Sequence, residues 1–209
     1  MLHRLVEQAI WPEKSAWAVT QIKGPEPELF PAEACAISNA VPRRRAEFAF
    51  GRHVARRAMA GLGFPDVPVP MGPDRAPQWP PGLHGSISHA EGHCLAVVSK
   101  SETVTSLGID VEPDLPLPED VIETVCSVTE RQRFAQDLRR VFSAKEAVFK
   151  ALYPECGVVF GFDALEVTES RAQFTCDIGP FPKGKVLPFS QWVGEGWILT
   201  LCARHGRAS

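Results

Sequence analysis

The sequence predicts an α+β fold, and three observations support this prediction. Segments in which apolar and polar residues alternate, as they do in half-buried strands, occur on both sides of the chain centre. One long helical pattern precedes the centre, at 42–62, and another follows it, at 142–152. Proline-dense stretches at 65–81 and 113–118 break the chain between these elements. The natural midpoint of the chain lies near residues 108–113.

The first half begins with a predicted strand over 14–23, in which Trp17 and Val19 alternate with polar neighbours. The long helix begins at Pro42, because proline suits the first turn of a helix, and it stops beside Gly61. The remaining predicted elements are a helix near 129–138 and strands at 95–99, 104–111, 165–168, 173–177 and 197–203.

Composition limits the classes of function. The 209 residues are 44% hydrophobic and 22% charged, which is ordinary for a globular protein. The net charge of −3 gives no support to a general role in nucleic-acid binding. No apolar run approaches the roughly 18–20 residues of a membrane span. Residues 1–13 lack a signal-peptide cleavage pattern, so we expect a cytoplasmic protein.

The cysteines do not indicate a disulfide framework or a zinc site. They form no CxxC pair and no cluster with histidine. We interpret them as reduced and mostly buried small hydrophobic residues. The six are Cys35, Cys94, Cys126, Cys156, Cys176 and Cys202.

A pair of carboxylates ends the predicted strand at 104–111. Asp110 and Glu112 are two residues apart, so their side chains point to the same face of the strand. Two acids on one face suit a hard cation such as Mg²⁺, which takes oxygen ligands from carboxylates, phosphates and water. The alternative is an exposed strand end before a proline turn, and the pair alone does not decide between the two.

The helical pattern at 142–152 carries a second set of charged residues. Glu146 and Lys150 are four residues apart and are neighbours on the helix surface, while Lys145 projects next to them on a different line. One interpretation is an ordinary surface ion pair. The other makes Glu146 a third metal ligand or a base, and Lys150 a phosphate partner or proton donor.

Two further segments carry groups that bind phosphate. The segment 85–89 is small and polar, and we predict a flexible loop in which Ser88 and His89 donate to a phosphate oxygen. A basic patch also occurs, and arginine matches phosphate geometry, although a solvated helix face is the alternative. The patch consists of Arg44, Arg45, Arg52 and Arg75.

The order of these segments resembles one enzyme family, the 4'-phosphopantetheinyl transferases. Three segments of this chain look like the signature motifs of that family. They are Gly-Ser-Ile-Ser-His (85–89), Gly-Ile-Asp-Val-Glu (108–112) and Phe-Ser-Ala-Lys-Glu-Ala-Val-Phe-Lys (142–150). Three further segments resemble one branch of the surfactin-type (Sfp-type) group of this family, the enterobactin-synthetase-component branch. They are Arg-Ala-Glu-Phe-Ala-Phe-Gly-Arg (45–52), Arg-Ala-Pro-Gln-Trp-Pro-Pro-Gly-Leu (75–83) and Gly-Phe-Asp (161–163). The resemblance runs from about residue 40 to residue 200.

The resemblance implies a fold of two similar α/β halves related by a pseudo-twofold axis, here 1–108 and 109–209, with coenzyme A in the cleft between them. The second half would carry the metal site and the Lys-Glu-Lys helix. The metal ligands would be Asp110, Glu112 and Glu146, holding magnesium, or alternatively manganese, against the coenzyme A diphosphate. The residues implied for coenzyme A are Arg44, Arg45, Arg52, Arg75, Ser88, His89, Lys145 and Lys150, with the register among the three arginines at 43–45 left open.

The resemblance also implies the reaction and the partners. The enzyme would transfer 4'-phosphopantetheine from coenzyme A to a serine of an apo acyl carrier protein, or of a peptidyl or aryl carrier domain, and release 3',5'-ADP. Attack at phosphorus needs charge neutralisation and in-line positioning. Glu146, directly or through a bound water, is expected to take the serine proton, and Lys150 to stabilise the diphosphate. We expect a monomer without nucleic-acid or membrane partners, and fatty acid, peptide and polyketide carriers are not distinguished.

Several alternatives remain at this stage. The four arginines within 129–140 are a candidate docking face for an acidic carrier, or simply a solvated face. A coenzyme A-binding or nucleotide-binding module without chemistry would tolerate the loss of an acid, whereas all three acids are present. A different magnesium-dependent phosphotransfer enzyme would need a glycine-rich phosphate loop, and the GxxxxGK[ST] pattern is absent.

Overall fold

The computed structural model describes residues 1–206, which form two compact units. The first unit is Ile10–Leu107, which His205 and Gly206 join at the end of the described chain. The second unit is Gly108–Arg204 together with Met1–Ala9. A division into similar halves at residues 108 and 109 stays a prediction, and the last three residues of the predicted second half lie outside the described residues.

The structure is a mixed α/β fold with small sheets. No helix within residues 1–206 is long and apolar enough to cross a bilayer. The helices are α1 (Leu2–Gln8), α2 (Pro31–Ala34), α3 (Pro42–Gly61), α4 (Glu119–Val125), α5 (Val128–Phe134) and α6 (Leu138–Cys156). The strands are β1 (Ser15–Gln21), β2 (His84–Ala90), β3 (His93–Ser99), β4 (Val104–Pro113), β5 (Leu165–Val167), β6 (Arg171–Phe174), β7 (Val186–Pro188), β8 (Ser190–Gly194) and β9 (Trp197–His205).

The first unit is an antiparallel sheet in the order β1-β3-β2, with α3 packed against it. Ala96 on the central strand lies opposite Ala18 on one side and Ile87 on the other. The predicted long helix is confirmed as α3, with Pro42 in its first turn. Its buried face includes Val54 and Met59, which belong to the same apolar core as Ala96.

The prediction of a flexible loop at residues 85–89 is wrong, because this segment is the middle of strand β2. Ser86 and Ser88 are buried, and the strand pairs with β3 over its whole length. The alternation of serine with glycine, isoleucine and histidine is a strand pattern that small polar residues conceal. Gly85 allows a close contact, since a Cβ there would lie 2.7 Å from the ring of Trp79.

The second unit contains two sheets, in the orders β4-β9-β8 and β5-β6-β7. Helix α6 is longer than the predicted helix and buries Val141, Val148 and Leu152 in the core. A buried hydrogen bond of 2.8 Å joins the hydroxyls of Ser143 on α6 and Thr200 on β9. These contacts fix α6 within the second unit.

The strand patterns at 14–23, 95–99, 104–111, 165–168, 173–177 and 197–203 correspond to β1, β3, β4, β5, β6 and β9. Besides β2, which was predicted to be a loop, five helices and strands have no counterpart among the predicted elements: α1, α2, α4, β7 and β8. The three helices have seven, four and seven residues, and the two strands have three and five. Segments this short do not complete enough periods for a hydrophobic pattern to be recognised.

Candidate active site

The end of β4 carries two partly or fully buried acids. Asp110 is 4% exposed, and Glu112, two residues later, lies on the same side of the strand by alternation. Burial and the neighbouring Asp110 raise the pKa of Glu112, while Arg139 and Lys150 lower it. The two carboxylates therefore act on each other and are stabilised by cations.

Helix α6 brings Lys150 to the end of this strand. A Cβ at Gly108 would overlap the carbonyl oxygen of Ala147, so only glycine at this point of β4 permits the observed approach of the helix. Across this contact the Lys150 ammonium donates to Asp110 Oδ1 at 2.7 Å and to the carbonyl of Ile109 at 3.0 Å. The glycine of the second motif and the lysine of the third thus depend on each other.

Glu146 lies one helical turn before Lys150 and is half-buried. Burial raises the pKa of its carboxyl group, Lys150 lowers it, and Asp110 raises it again. Within residues 1–206, we find no side chain that donates a hydrogen bond to this carboxylate. A half-buried carboxylate with a raised pKa and open oxygens has the properties of a general base.

Arg139, which the sequence analysis considered only for carrier docking, is a residue of this site. Its guanidinium donates to Glu112 Oε2 at 2.7 Å and to the carbonyls of Leu115 and Pro116, both at 2.8 Å. It holds Glu112 and the proline-rich turn after β4 together. No sequence signal distinguished it from its neighbour Arg140, which pairs with Asp137.

A cavity of about 220 Å³ opens beside Glu146. Its walls are mostly apolar, and the rings of Phe149 and Phe160 are in contact, with centroids 5.1 Å apart. The cavity can hold an uncharged, flexible group next to a carboxylate. The lining residues are Lys145, Glu146, Phe149, Val159, Phe160, Gly161, Phe162 and Leu165.

The expectation that Lys145 presents a cation beside Glu146 and Lys150 is wrong. Its side chain is 2% exposed, and its ammonium donates to the Glu130 carboxylate at 2.7 Å and to the carbonyls of Val125 and Phe162. These three acceptors match the three protons of an ammonium group. Lys145 therefore has no donor left for a phosphate.

In the first unit, α3 and β2 bring Arg44 and His89 together. Arg44 Nη1 lies 3.3 Å from His89 Nε2, and both side chains are near the carboxylate of Glu47. Arg45 turns to the other side and lies 3.7 Å from Glu26. Of the two neighbouring arginines, Arg44 is the one that the fold places beside the histidine.

The two remaining arginines of the basic patch occupy very different surroundings. Arg52 is 6% exposed and stacks over the ring of Phe48 at 4.2 Å, and burial lowers its pKa to about 10. Its Nε has no hydrogen-bond partner among the described residues. Arg75 is exposed in a turn, with a φ of 71°.

The charge of Asp110 acts on the other two predicted metal ligands, Glu112 and Glu146. Two of the three, Asp110 and Glu112, form ion pairs with cationic side chains. Asp110 influences both Glu112 and Glu146, and three carboxylates are a donor set that suits Mg²⁺ or Mn²⁺. No group of three or more His, Cys, Asp or Glu side chains in the described part of the chain has a ready metal-binding arrangement. The residues fit a hard cation by their chemistry, but Lys150 and Arg139 contact two of them instead.

Comparison with known proteins decides the family. Residues 32–99 match the model of the 4'-phosphopantetheinyl transferase N-terminal domain, and residues 106–202 match that of the 4'-phosphopantetheinyl transferase superfamily. The chain is 39% identical to the 4'-phosphopantetheinyl transferase Svp of Streptomyces mobaraensis, over 90% of this chain and 86% of that protein. The chain belongs to the 4'-phosphopantetheinyl transferases.

Two further relatives place it among the surfactin-type and enterobactin-component-like members. The chain is 38% identical to the 4'-phosphopantetheinyl transferase Npt of Nocardia iowensis, over 71% of this chain and 70% of that protein. It is 34% identical to enterobactin synthase component D of Salmonella typhimurium, over 65% of this chain and 59% of that protein. The resemblance seen in the motifs is thereby confirmed, and the chain is an enzyme of this family.

Proposed function

We propose that this transferase moves 4'-phosphopantetheine from coenzyme A to a serine of a carrier protein and releases 3',5'-ADP. The observation that carries the proposal is the group of Asp110, Glu146 and Lys150 beside an apolar cavity. The charged residues suit a diphosphate and a proton transfer, and the cavity suits the uncharged pantetheine arm. Membership of the family supports the same reaction.

In the proposed reaction, the serine hydroxyl oxygen attacks the phosphorus that carries the pantetheine arm. A new P–O bond forms to serine, and the bond from this phosphorus to the bridging diphosphate oxygen breaks. Glu146 takes the serine proton, since its carboxylate is half-buried and its pKa is raised by burial. Lys150 stabilises the negative charge on the diphosphate, which is the main requirement for phosphoryl transfer.

The nucleotide end of coenzyme A would be bound by residues of the first unit. Arg44 and His89 form a pair that suits the 3'-phosphate. The predicted contact of Ser88 with the same phosphate is not retained, because Ser88 is buried and by strand alternation points to the opposite face of β2 from His89. Arg52 and the exposed Arg75 are proposed as further phosphate ligands, and Arg45 as a weaker one. Lys145 is left out of this set because its ammonium already has three acceptors.

Asp110, Glu112 and Glu146 would hold a magnesium ion, or manganese as the alternative. A bound divalent cation supplies charge neutralisation on phosphate oxygens. The residues themselves contribute the buried carboxylate of Asp110, which repels the half-buried carboxylates of Glu112 and Glu146, and a nearby cation lowers the energy of all three. Lys150 and Arg139 contribute part of the same charge compensation through their ion pairs with Asp110 and Glu112.

We also propose that the two units are similar halves, because each contains a buried glutamate that binds a cationic side chain and a backbone N–H in the same way. In the first unit Glu33, in the first turn of α2, accepts from Arg56 and from the backbone N–H of Val69. In the second unit Glu130, in the first turn of α5, accepts from Lys145 and from the N–H of Val167. Each glutamate also accepts from the backbone N–H of its N-cap residue, Phe30 or Ser127, and in each case the cation lies on the long helix that follows. The pseudo-twofold axis itself stays a prediction.

The experiment that tests the proposed function is mass spectrometry of intact carriers. An apo acyl carrier protein and an apo peptidyl carrier domain are each incubated with the enzyme, coenzyme A and magnesium. We expect a mass gain of one phosphopantetheine group, abolished by EDTA and by Asp110→Ala. If the carrier gains the same mass after EDTA treatment, the proposed role of the metal is contradicted. Light scattering tests separately whether the enzyme is a monomer, as we propose.

A further inference from the structure

We propose that the buried ion pair of Lys145 and Glu130 is a positioning device that sets the geometry of Glu146 and of the cavity beside it. This inference rests on the proposed function, since it concerns the placement of the proposed base. Lys145 and Glu130 are 2% and 0% exposed, and their charged atoms lie 2.7 Å apart. Both are charged side chains of the core, where an unpaired charge is not tolerated.

The pair connects the elements that surround Glu146. Lys145 is the residue before Glu146 on α6, and its ammonium also donates to the carbonyl of Val125, the last residue of α4, at 2.8 Å. A third bond, of 3.0 Å, runs to the carbonyl of Phe162, which lines the cavity. One ammonium group therefore joins α6, α4 and the cavity wall.

Glu130 extends these connections to two more elements. Its Oε2 accepts from the N–H of Ser127 at 2.8 Å, which closes the capping box of α5. Its Oε1 accepts from the N–H of Val167 on β5 at 2.7 Å. The strand β5 begins at Leu165, which is another lining residue of the cavity. Every oxygen of Glu130 is thus used to hold an element around the same cavity.

The first unit provides a matched control with the same construction. Glu33 is 0% exposed, and it pairs with Arg56 at 2.7 Å. Arg56 also contacts the carbonyl of Glu28, the exposed carboxylate of Asp66 and the ring of Phe30. None of these groups is itself placed in the coenzyme A-binding or transfer machinery. Glu33 and Arg56 act in opposite directions on the charge of Arg52, a proposed phosphate ligand, and a double variant of the pair removes both influences together. Loss of this pair therefore removes a buried ion pair of the same kind without touching the surroundings of Glu146.

The consequence is a separation of stability from turnover. Removing either buried cation leaves a buried glutamate without its charge partner, so both changes are expected to destabilise the protein. Only the loss of the Lys145 ammonium also removes the hydrogen bond to the carbonyl of Phe162 in the cavity wall. The same change releases the part of α6 that carries Glu146. Misplacement of a reacting group by about 1 Å costs roughly 100-fold in rate. Lys145 acts through Glu146 and through the cavity, and does not itself touch the reacting phosphorus.

The test compares two pairs of variants: Lys145→Met with Lys145→Met/Glu130→Gln, and Arg56→Met with Arg56→Met/Glu33→Gln. The double variants carry no unpaired buried charge, so they are expected to regain thermal stability. Transfer to an apo carrier is then measured at a temperature at which circular dichroism shows each variant to be folded. Binding of 3',5'-ADP, which lacks the pantetheine arm, is measured by calorimetry.

We expect kcat to fall about 100-fold in both Lys145 variants. The Kd of 3',5'-ADP and the kcat of both Arg56 variants should stay within about threefold of the wild type. The inference is overturned if the Lys145 and Arg56 double variants have the same kcat, whether both are near the wild type or both are equally impaired. Absence of transfer by the wild type in the same assay would instead contradict the proposed function.

Discussion

Gly108 on β4 lies against the backbone of Ala147 on α6, with no room for a Cβ atom between them. This contact brings the helix that carries Glu146 and Lys150 to the end of the strand that carries Asp110. Lys150 then reaches Asp110 at 2.7 Å. The proposed site therefore depends on this backbone contact. Gly108 of the second motif lets α6 come close enough for Lys150 of the third motif to reach Asp110.

The first prediction concerns this contact. Gly108→Ala should push α6 away from β4, because the new methyl group would overlap the Ala147 carbonyl oxygen. We expect a loss of about 1–3 kcal/mol in the free energy of unfolding, as for other overpacked cores, and a large loss of transfer activity. Urea unfolding measures the first effect. Gly51→Ala is the control, since its Cβ would lie 3.4 Å from Ile87, an ordinary contact on α3. Equal stability of the Gly108 variant and the wild type would show that the close approach is not required.

The second prediction separates two neighbouring arginines. Arg44→Ala should weaken coenzyme A binding about tenfold, because a charge-assisted hydrogen bond is worth about 1.5–3 kcal/mol and Arg44 lies beside His89. Arg45→Ala should change the Kd much less, since that side chain turns towards Glu26. Calorimetry with coenzyme A measures both constants. The reverse order of effects would assign the phosphate contact to Arg45 and contradict the placement of His89.

The comparison of sequence with structure shows why some predictions succeeded. The long helix at 42–62 and the strand at 104–111 have enough periods for their apolar patterns to be unambiguous, and both are confirmed. Lys145 was predicted to project next to Glu146 and Lys150, although on a different line of the helix, and only Glu146 and Lys150 lie together. Lys145 is buried, because its cation is matched by a glutamate that lies 15 residues earlier in the chain. Helical periodicity describes the faces of one helix and carries no information about such a distant partner.

Other features lay beyond the reach of sequence patterns for related reasons. The segment 85–89 forms a strand because it pairs with β3 and its two serines are buried, whereas its composition is typical of a loop. The cavity beside Glu146 is formed by aromatic residues of α6 and of the segment 159–165, which meet only in the folded chain. Arg139 is held beside Glu112 by hydrogen bonds to two backbone carbonyls, and a motif of side chains cannot predict such bonds.

The third prediction concerns thiol reactivity. The scattered cysteine pattern predicts mostly buried cysteines, yet Cys35 and Cys176 are exposed, and Cys156 is partly exposed. Burial disfavours the thiolate and raises the pKa of Cys94 and Cys202 to about 12 and that of Cys126 to about 11.

At pH 8, well below these raised values, the three buried thiols should remain protonated and unreactive. A thiol reagent should therefore label the exposed cysteines rapidly in the native protein, and the buried three only after unfolding. Peptide mapping by mass spectrometry identifies the labelled residues. Rapid labelling of Cys94 or Cys202 in the native state would contradict the described core. Since no cysteine lies in the proposed site, labelling of Cys35 and Cys176 should leave transfer intact.

The fourth prediction tests carrier docking. The arginine-rich segment 129–140 does not present four open cations, because Arg133 and Arg139 donate to backbone carbonyls of the second unit. Arg131 is more exposed than Arg139, and it pairs with Glu123, whose side chain is 88% exposed. Arg131→Glu should raise the KM for an acidic carrier several-fold at low salt, because reversal of a rim charge slows association.

Arg171→Glu is the matched control for Arg131, since Arg171 is an exposed arginine of β6 in the same unit. The KM for coenzyme A should be unchanged in both variants. If the KM for the carrier is the same in the Arg131 variant as in the wild type, the segment is an ordinary solvated face.

The central claim is that Glu146 takes a proton from the carrier serine while coenzyme A is held by other groups. The most direct measurement compares the wild type with Glu146→Gln by intact mass spectrometry of an apo carrier, together with calorimetry of coenzyme A binding. We predict that the wild type adds one phosphopantetheine group, and that the variant binds coenzyme A but transfers at least about 100-fold more slowly. Wild-type turnover by the variant would contradict the role of Glu146, and a wild-type protein that neither binds coenzyme A nor modifies a carrier would contradict the proposed function.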